Sequence, residues 1–225
     1  MSHNGYFGYD LKLRESTVID NREIAPDVFL LSLPRYTKFL AGQVIGLSLD
    51  PSEEPRLYSI CSGIGQDELQ ILYNIKQDGY FTPKLRKAKW NDKIWISDPF
   101  GSFLGSEEPA YWIASGTGIA PFLSMFLSVI GGNKVLIHGG RTLDSFYFAD
   151  ELISFFRENY VRCCSQETSS EVFSGRLKSY LRQLSDLPTD QNYYLCGLAE
   201  MIVESRDILI SKGVPFDNIL AEIYF

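Results

Sequence analysis

The chain has 225 residues, a formal net charge of -7, 45% hydrophobic and 22% charged residues, enough for one large or two modest domains, each with its own core. This balance excludes a disordered chain, and the acidic surplus argues against nucleic acid as a general partner. No apolar run approaches the roughly 18 residues of a membrane span, and the first ten residues lack the basic start and apolar centre of a signal peptide, so a cytoplasmic protein free of the membrane is expected.

From the N-terminus, alternating and β-branched runs predict strands over 16–20 and 28–33, with a turn at Ala25-Pro26-Asp27 between them. Further strands are expected over 43–49, 57–61, 68–76 and 93–97, and a short helix over 83–89, with Thr82 as its N-cap and Pro83 at its first position. Short strands punctuated by turns, with one short helix, predict a small antiparallel β-barrel, assigned to residues 1–106. Beyond the polar break at Glu107-Glu108-Pro109 the pattern changes to strand and helix in alternation. Strands are expected over 110–114, 134–138, 160–164, 192–196 and 219–225, and helices over 121–130, 144–159, 175–184 and 199–212. This predicts an α/β doubly wound parallel sheet over residues 107–225. The fold class is therefore two-domain, an antiparallel β-barrel followed by a doubly wound sheet.

The chemistry-bearing motifs fall at strand ends and turns. Arg56-Leu57-Tyr58-Ser59 opens a strand, so Arg56 and Tyr58 share one face and Leu57 and Ser59 the other. A guanidinium beside a phenol ring suits a ligand carrying both a phosphate and a flat conjugated ring. Gly79-Tyr80-Phe81-Thr82-Pro83 reads as a turn into a helix, where free N–H groups receive phosphate. Ser115-Gly116-Thr117-Gly118 joins a strand to a helix and lets backbone approach a pyrophosphate. His138-Gly139-Gly140-Arg141, Ser165-Gln166-Glu167, Gly175-Arg176 and Cys196-Gly197 also follow strands, and the chain closes on Ala221-Glu222-Ile223-Tyr224-Phe225. The four cysteines, 61, 163, 164 and 196, have no paired spacing for zinc or an iron–sulfur cluster, so no metal is expected.

In this order, from about Gly42 to Phe225, the motifs resemble those of the ferredoxin-NADP reductase family of flavoproteins. The resemblance implies FAD on the barrel and NADPH, with NADH possible, on the parallel sheet. It implies that Arg56, with the backbone around Tyr80, Phe81 and Thr82, holds the flavin pyrophosphate. Tyr58 is then expected to stack on the ring, Leu57 to belong to the same motif, and Ser59 to hydrogen-bond near N5. Gly116 and Gly118 would bring backbone to the dinucleotide, Thr117 would contact it or lie against the flavin, and Arg141, Gln166 and Arg176 would surround its adenosine end. Gln166 stands where an arginine often grips the 2'-phosphate, and a neutral amide cannot neutralise that charge. Cys196, with Gly197, would lie beside the nicotinamide; Glu222 would orient a ring or relay a proton; Tyr224 or Phe225 would stack on the flavin. The implied reaction is hydride exchange between NADPH and FAD and single-electron exchange with ferredoxin or flavodoxin. Lys84, Arg86, Lys87, Lys89 and Lys93 read either as a solvated face or as a rim steering an acidic electron carrier. The alternatives are an NADH-dependent reductase serving free flavin or an oxygenase, and a non-catalytic module that keeps the fold.

Overall fold

The structure is a computed structural model and describes residues 11–224. Its first half is built of antiparallel strands: β1 (Arg14–Thr17), β2 (Asp20–Ala25), β3 (Val28–Pro34), β4 (Val44–Ser48), β5 (Arg56–Ser59), β6 (Glu68–Asn74) and β7 (Lys93–Ile96), with helix α1 (Thr82–Leu85) before the last. They form a four-stranded sheet ordered β1-β7-β4-β5 and a three-stranded sheet ordered β2-β3-β6. A bridge from Ile60 to Ile71 links the two sheets. Their inward residues, including Leu31, Leu33, Ile45, Leu47, Ile71 and Ile94, form one buried cluster. This is the expected barrel with one strand more than the sequence predicts. Strand β2 reads DNREIA with two residues exposed and four half-buried, so no apolar alternation marks it. It is held by its antiparallel ladder to β3.

The second half alternates strand and helix: β8 (Ala110–Ser115), α2 (Ala120–Leu127), β9 (Lys134–Gly140), α3 (Ala149–Phe156), β10 (Tyr160–Cys164), β11 (Phe173–Ser174), α4 (Leu177–Gln183), β12 (Asn192–Leu198), α5 (Ala199–Ser211) and β13 (Ile219–Tyr224). The strands form one sheet ordered β11-β10-β9-β8-β12-β13, every neighbouring pair parallel. The order reverses between β8 and β12, and at such a reversal the connecting loops part and leave a crevice at the carboxyl ends of the strands.

Two local expectations are corrected. Thr82 does not cap α1: the N-cap is Phe81, without a side-chain bond, and the Thr82 hydroxyl instead accepts the Lys76 N–H at 2.8 Å. The helix expected over 144–159 is interrupted, because Phe148 takes a left-handed backbone (φ 59°) and only Ala149–Phe156 is α-helical. Where the halves meet, Leu30, Cys61 and Leu72 of the first join Trp112, Phe122, Leu123 and Met125 of the second in a single buried cluster. No helix among the described residues is long and apolar enough to cross a membrane.

Candidate functional site

Three groups of residues converge on the carboxyl end of the parallel sheet and the edge of the barrel that faces it. The first lies on β5. Its ladder with β4 pairs Arg56 with Leu47 and Ser59 with Val44, which fixes the alternation read from the sequence. Arg56 lines a cavity of about 260 Å³ with Glu53, Glu54, Tyr80 and Phe81. Tyr58 stacks on Phe81, with ring centroids 6.1 Å apart, and meets Tyr73 edge-on at 6.3 Å. Burial raises the Tyr58 phenol well above its ordinary pKa, so the ring stays neutral. Tyr80 is 58% exposed; its hydroxyl donates to Glu53 at 2.9 Å, and Lys84 stands 3.5 Å from its ring centre. Leu57 points to the opposite side, partly exposed, and joins none of these contacts.

The second group crosses between the halves. The buried Ser59 hydroxyl donates to the Glu222 carboxylate and accepts from the Tyr224 hydroxyl at 2.7 Å. Parallel pairing sets Glu222 beside Cys196, and the Tyr224 hydroxyl also reaches the Cys196 thiol. Burial raises the Glu222 carboxyl above its ordinary pKa, with the Ser59 bond pulling the other way. Burial, followed by the nearby Glu222 charge, pushes the Cys196 thiol far up, so it is neutral and no nucleophile. Ser59, Cys196, Glu222 and Tyr224 thus form one hydrogen-bonded cluster joining residues up to 165 positions apart. Tyr224 enters it through its hydroxyl; Phe225 lies outside the described residues.

The third group is the row of loops. Gly116–Ile119 forms a 3-10 turn, with Gly116 at φ +52°. Gly118 passes so close to β12 that a Cβ there would meet the Cys196 carbonyl oxygen at 2.3 Å. Gly197 (φ +139°) lies equally tight on Ser115, whose hydroxyl accepts the Leu198 N–H at 3.3 Å. At the next strand ends, the Gln166 N–H donates to the Arg141 carbonyl at 2.9 Å, and Arg176 precedes α4. The side chains of Arg141, Gln166 and Arg176 are exposed.

Sequence reasoning missed Glu53, Ser115 and Glu167, whose carboxylate accepts the Leu143 N–H at 2.6 Å. Ser115 and Glu167 stand in the quoted motifs Ser115-Gly116-Thr117-Gly118 and Ser165-Gln166-Glu167 but were given no role of their own.

Residues 112–207 match the oxidoreductase NAD-binding domain. The ferredoxin-NADP reductase of Azotobacter vinelandii is 26% identical over 219 residues, covering 82% of this chain and 83% of its own length. Over most of its length the chain is similar to ferredoxin-NADP reductases. A second relative is the ferredoxin reductase component of the 3-ketosteroid-9-alpha-monooxygenase of Mycobacterium tuberculosis, 27% identical over 202 residues. That match covers 85% of this chain but 56% of the relative, so the chain spans little more than half of its length. The fold superposes on a ferredoxin NADP+ reductase from Neisseria gonorrhoeae, solved with FAD and NADP bound, at a TM-score of 0.86 and 22% identity over 96% of this chain and 100% of that one.

FAD and a nicotinamide dinucleotide are the cofactors of the ferredoxin-NADP reductase family. The residues present fit them: the Arg56 guanidinium opens on a cavity walled by aromatic rings, a buried hydroxyl ends the same strand at Ser59, and two glycine approaches bring backbone rather than side chains to the sheet end. Glu53 and Glu54 line the same cavity as Arg56. Among the described residues no cluster of His, Cys, Asp and Glu is arranged to hold a metal ion.

Proposed function

We propose that the protein is an FAD-dependent reductase that exchanges hydride between NADPH and flavin, and single electrons between flavin and a ferredoxin or flavodoxin. FAD, when bound, supplies the conversion between two-electron and one-electron chemistry. The barrel residues of 1–106 hold FAD in this reading, and residues 107–225 hold the dinucleotide. Arg56 grips the FAD pyrophosphate, with the backbone at Tyr80, Phe81 and Thr82 beside it. The Tyr58 ring, stiffened against Phe81, offers its remaining face to the flavin. Ser59 places its hydroxyl at the flavin edge, and Glu222, which accepts its proton, fixes the direction in which that hydroxyl points. Cys196, neutral and small, keeps water from the place where the nicotinamide must lie flat. Gly116, Thr117, Gly118 and Gly197 bring backbone to the dinucleotide, and Arg141, Gln166 and Arg176 lie around its adenosine end. The exposed run Lys84, Arg86, Lys87, Lys89 and Lys93, of which Lys84 stands over the Tyr80 ring, would steer an acidic carrier. Four cysteines, all free, accord with a cytoplasmic setting.

The observation that carries this reading is the bonded cluster of Ser59, Glu222, Tyr224 and Cys196, which joins a barrel strand to two strands of the sheet. Its test is an absorbance spectrum of the purified protein followed by anaerobic titration with NADPH and with NADH. Flavin bands bleached more readily by NADPH are expected; a protein that takes up no flavin after incubation with FAD refutes the proposal. A second reading, an NADH-dependent reductase component of an oxygenase, is favoured by the neutral Gln166 and by the oxygenase-linked relative. Preferential bleaching by NADH would select it.

A further inference from the structure

His138 lies at the carboxyl end of β9, is fully buried, and has no place in the chemistry above. Its Nε2 lies 3.2 Å from the Gly116 carbonyl oxygen and its Nδ1 lies 3.1 Å from the Tyr160 hydroxyl. A carbonyl oxygen can only accept, so Nε2 carries the proton. Burial lowers the imidazole to about 4, so the ring is neutral and Nδ1 is bare, which makes Tyr160 the donor to it. Tyr160 is itself buried, its phenol pushed up by burial, with Arg162 packed 5.9 Å from its ring centre. The direction of both hydrogen bonds is therefore settled: Tyr160 to His138, His138 to Gly116.

The consequence lies in the geometry of the peptide. In a trans peptide the carbonyl of Gly116 and the N–H of Thr117 point in opposite directions. The imidazole holds the carbonyl inward, so the Thr117 N–H is turned outward, where Gly116 and Thr117 are both partly exposed. Gly116 sits at φ +52° with nothing within 4 Å of a Cβ placed there, so space does not dictate this conformation. Glycine makes either peptide orientation accessible, and the 3-10 turn together with the imidazole bond from the buried side holds this one.

We infer that His138, oriented by Tyr160, is a positioning residue that sets the Gly116–Thr117 peptide with its N–H facing the dinucleotide. This rests on the nucleotide reading of the loop given above. His138→Phe keeps an aromatic ring and removes the bond. It is expected to raise the dissociation constant for the nicotinamide dinucleotide about tenfold, the loss of one well-placed hydrogen bond, with flavin occupancy unchanged. His138→Gln, whose amide can donate where Nε2 does, should recover most of that loss. Tyr160→Phe should weaken binding in the same direction, and add nothing on top of His138→Phe. A role confined to packing would lower the melting temperature and leave the affinity of the folded protein alone.

The relay has a readout that needs no turnover. In a nitrogen-15 spectrum of the protein without dinucleotide, His138 should show Nε2 protonated and Nδ1 bare, and His138→Phe should shift the Thr117 amide. A proton found on Nδ1, an unmoved Thr117 amide, or an unchanged dissociation constant in folded His138→Phe would overturn the inference. Should the wild-type protein bind no dinucleotide, the nucleotide reading fails, and with it the ligand end of this inference. The tautomer and the Thr117 amide then still decide whether the relay exists.

Discussion

Replacing Gly118 by alanine tests the closest approach in the site. The added Cβ would fall 2.3 Å from the Cys196 carbonyl oxygen, 2.6 Å from its carbon and 2.7 Å from the Gly197 Cα, all backbone atoms that cannot rotate aside. Ordinary contact begins near 3.4 Å, so the turn after β8 and the end of β12 must part by 3.4 − 2.3, about 1.1 Å. Overpacking of this kind costs about 1–3 kcal/mol, and a cost near 2 kcal/mol lowers the melting temperature of a chain this size by about 4–8 °C. The displaced residue is Cys196, bonded to Tyr224 and through it to Ser59. A misplacement of about 1 Å at reacting groups costs on the order of a hundredfold in rate. Stopped-flow measurement of flavin bleaching by NADPH should therefore slow by about that factor while flavin occupancy holds. Gly116→Ala is the contrast, because its Cβ meets nothing while its φ of +52° is unfavourable; it should lose stability without parting the turn from β12. A Gly118→Ala protein with the wild-type melting temperature and rate would refute the reasoning.

Glu222→Gln keeps an acceptor for Ser59 and removes a buried charge. Because the folded pKa of Glu222 is raised, the stability it contributes is present in full below its unfolded pKa and is lost as pH rises through the folded value. The variant should thus melt above the wild type at neutral pH, with the gap closing as pH falls below the ordinary carboxylate range, while bleaching slows; thermal melts across pH check this. Tyr58→Ala removes a ring packed on Phe81 and Tyr73 and should weaken flavin retention by about tenfold or more, read by fluorescence on dilution. Val129 occupies the left-handed position (φ 65°) of a helix end in which Ile130 N–H bonds to Met125 and Val129 N–H to Phe126, and its side chain is 89% exposed. Glycine suits that position better, so Val129→Gly should stabilise the protein by about 1 kcal/mol in a denaturant titration.

The parallel half was legible because most of its strands are compact apolar runs ending in glycine or a polar turn, and those ends are where the sheet places its loops; the two-residue β11 (Phe173–Ser174) is too short for such a run and was not expected. Strand β2 was not, since a half-exposed strand built of Asp, Asn, Arg and Glu carries no period. The break at Phe148 was hidden for a related reason: an aromatic residue in a left-handed backbone gives no local warning, and its neighbours keep a helical spacing. In the site, Arg56 and Tyr58 could be paired from strand alternation alone. The bond from Ser59 to Glu222 spans 163 residues, and only the resemblance of the whole chain to a family suggested that both belong to one site. Glu53 and His138 were invisible as actors because their partners, the Tyr80 hydroxyl and the Gly116 carbonyl, are set by tertiary packing.

The shared apolar cluster between the halves bears on how ligands come and go. With Leu30, Cys61 and Leu72 packed against Trp112, Phe122, Leu123 and Met125, swinging the halves apart would hydrate that whole patch. The Ser124 hydroxyl would also have to release the Ser62 carbonyl, which it holds at 2.8 Å. Access to the buried cluster at Ser59 with the halves together is therefore a matter of small movements at the rim.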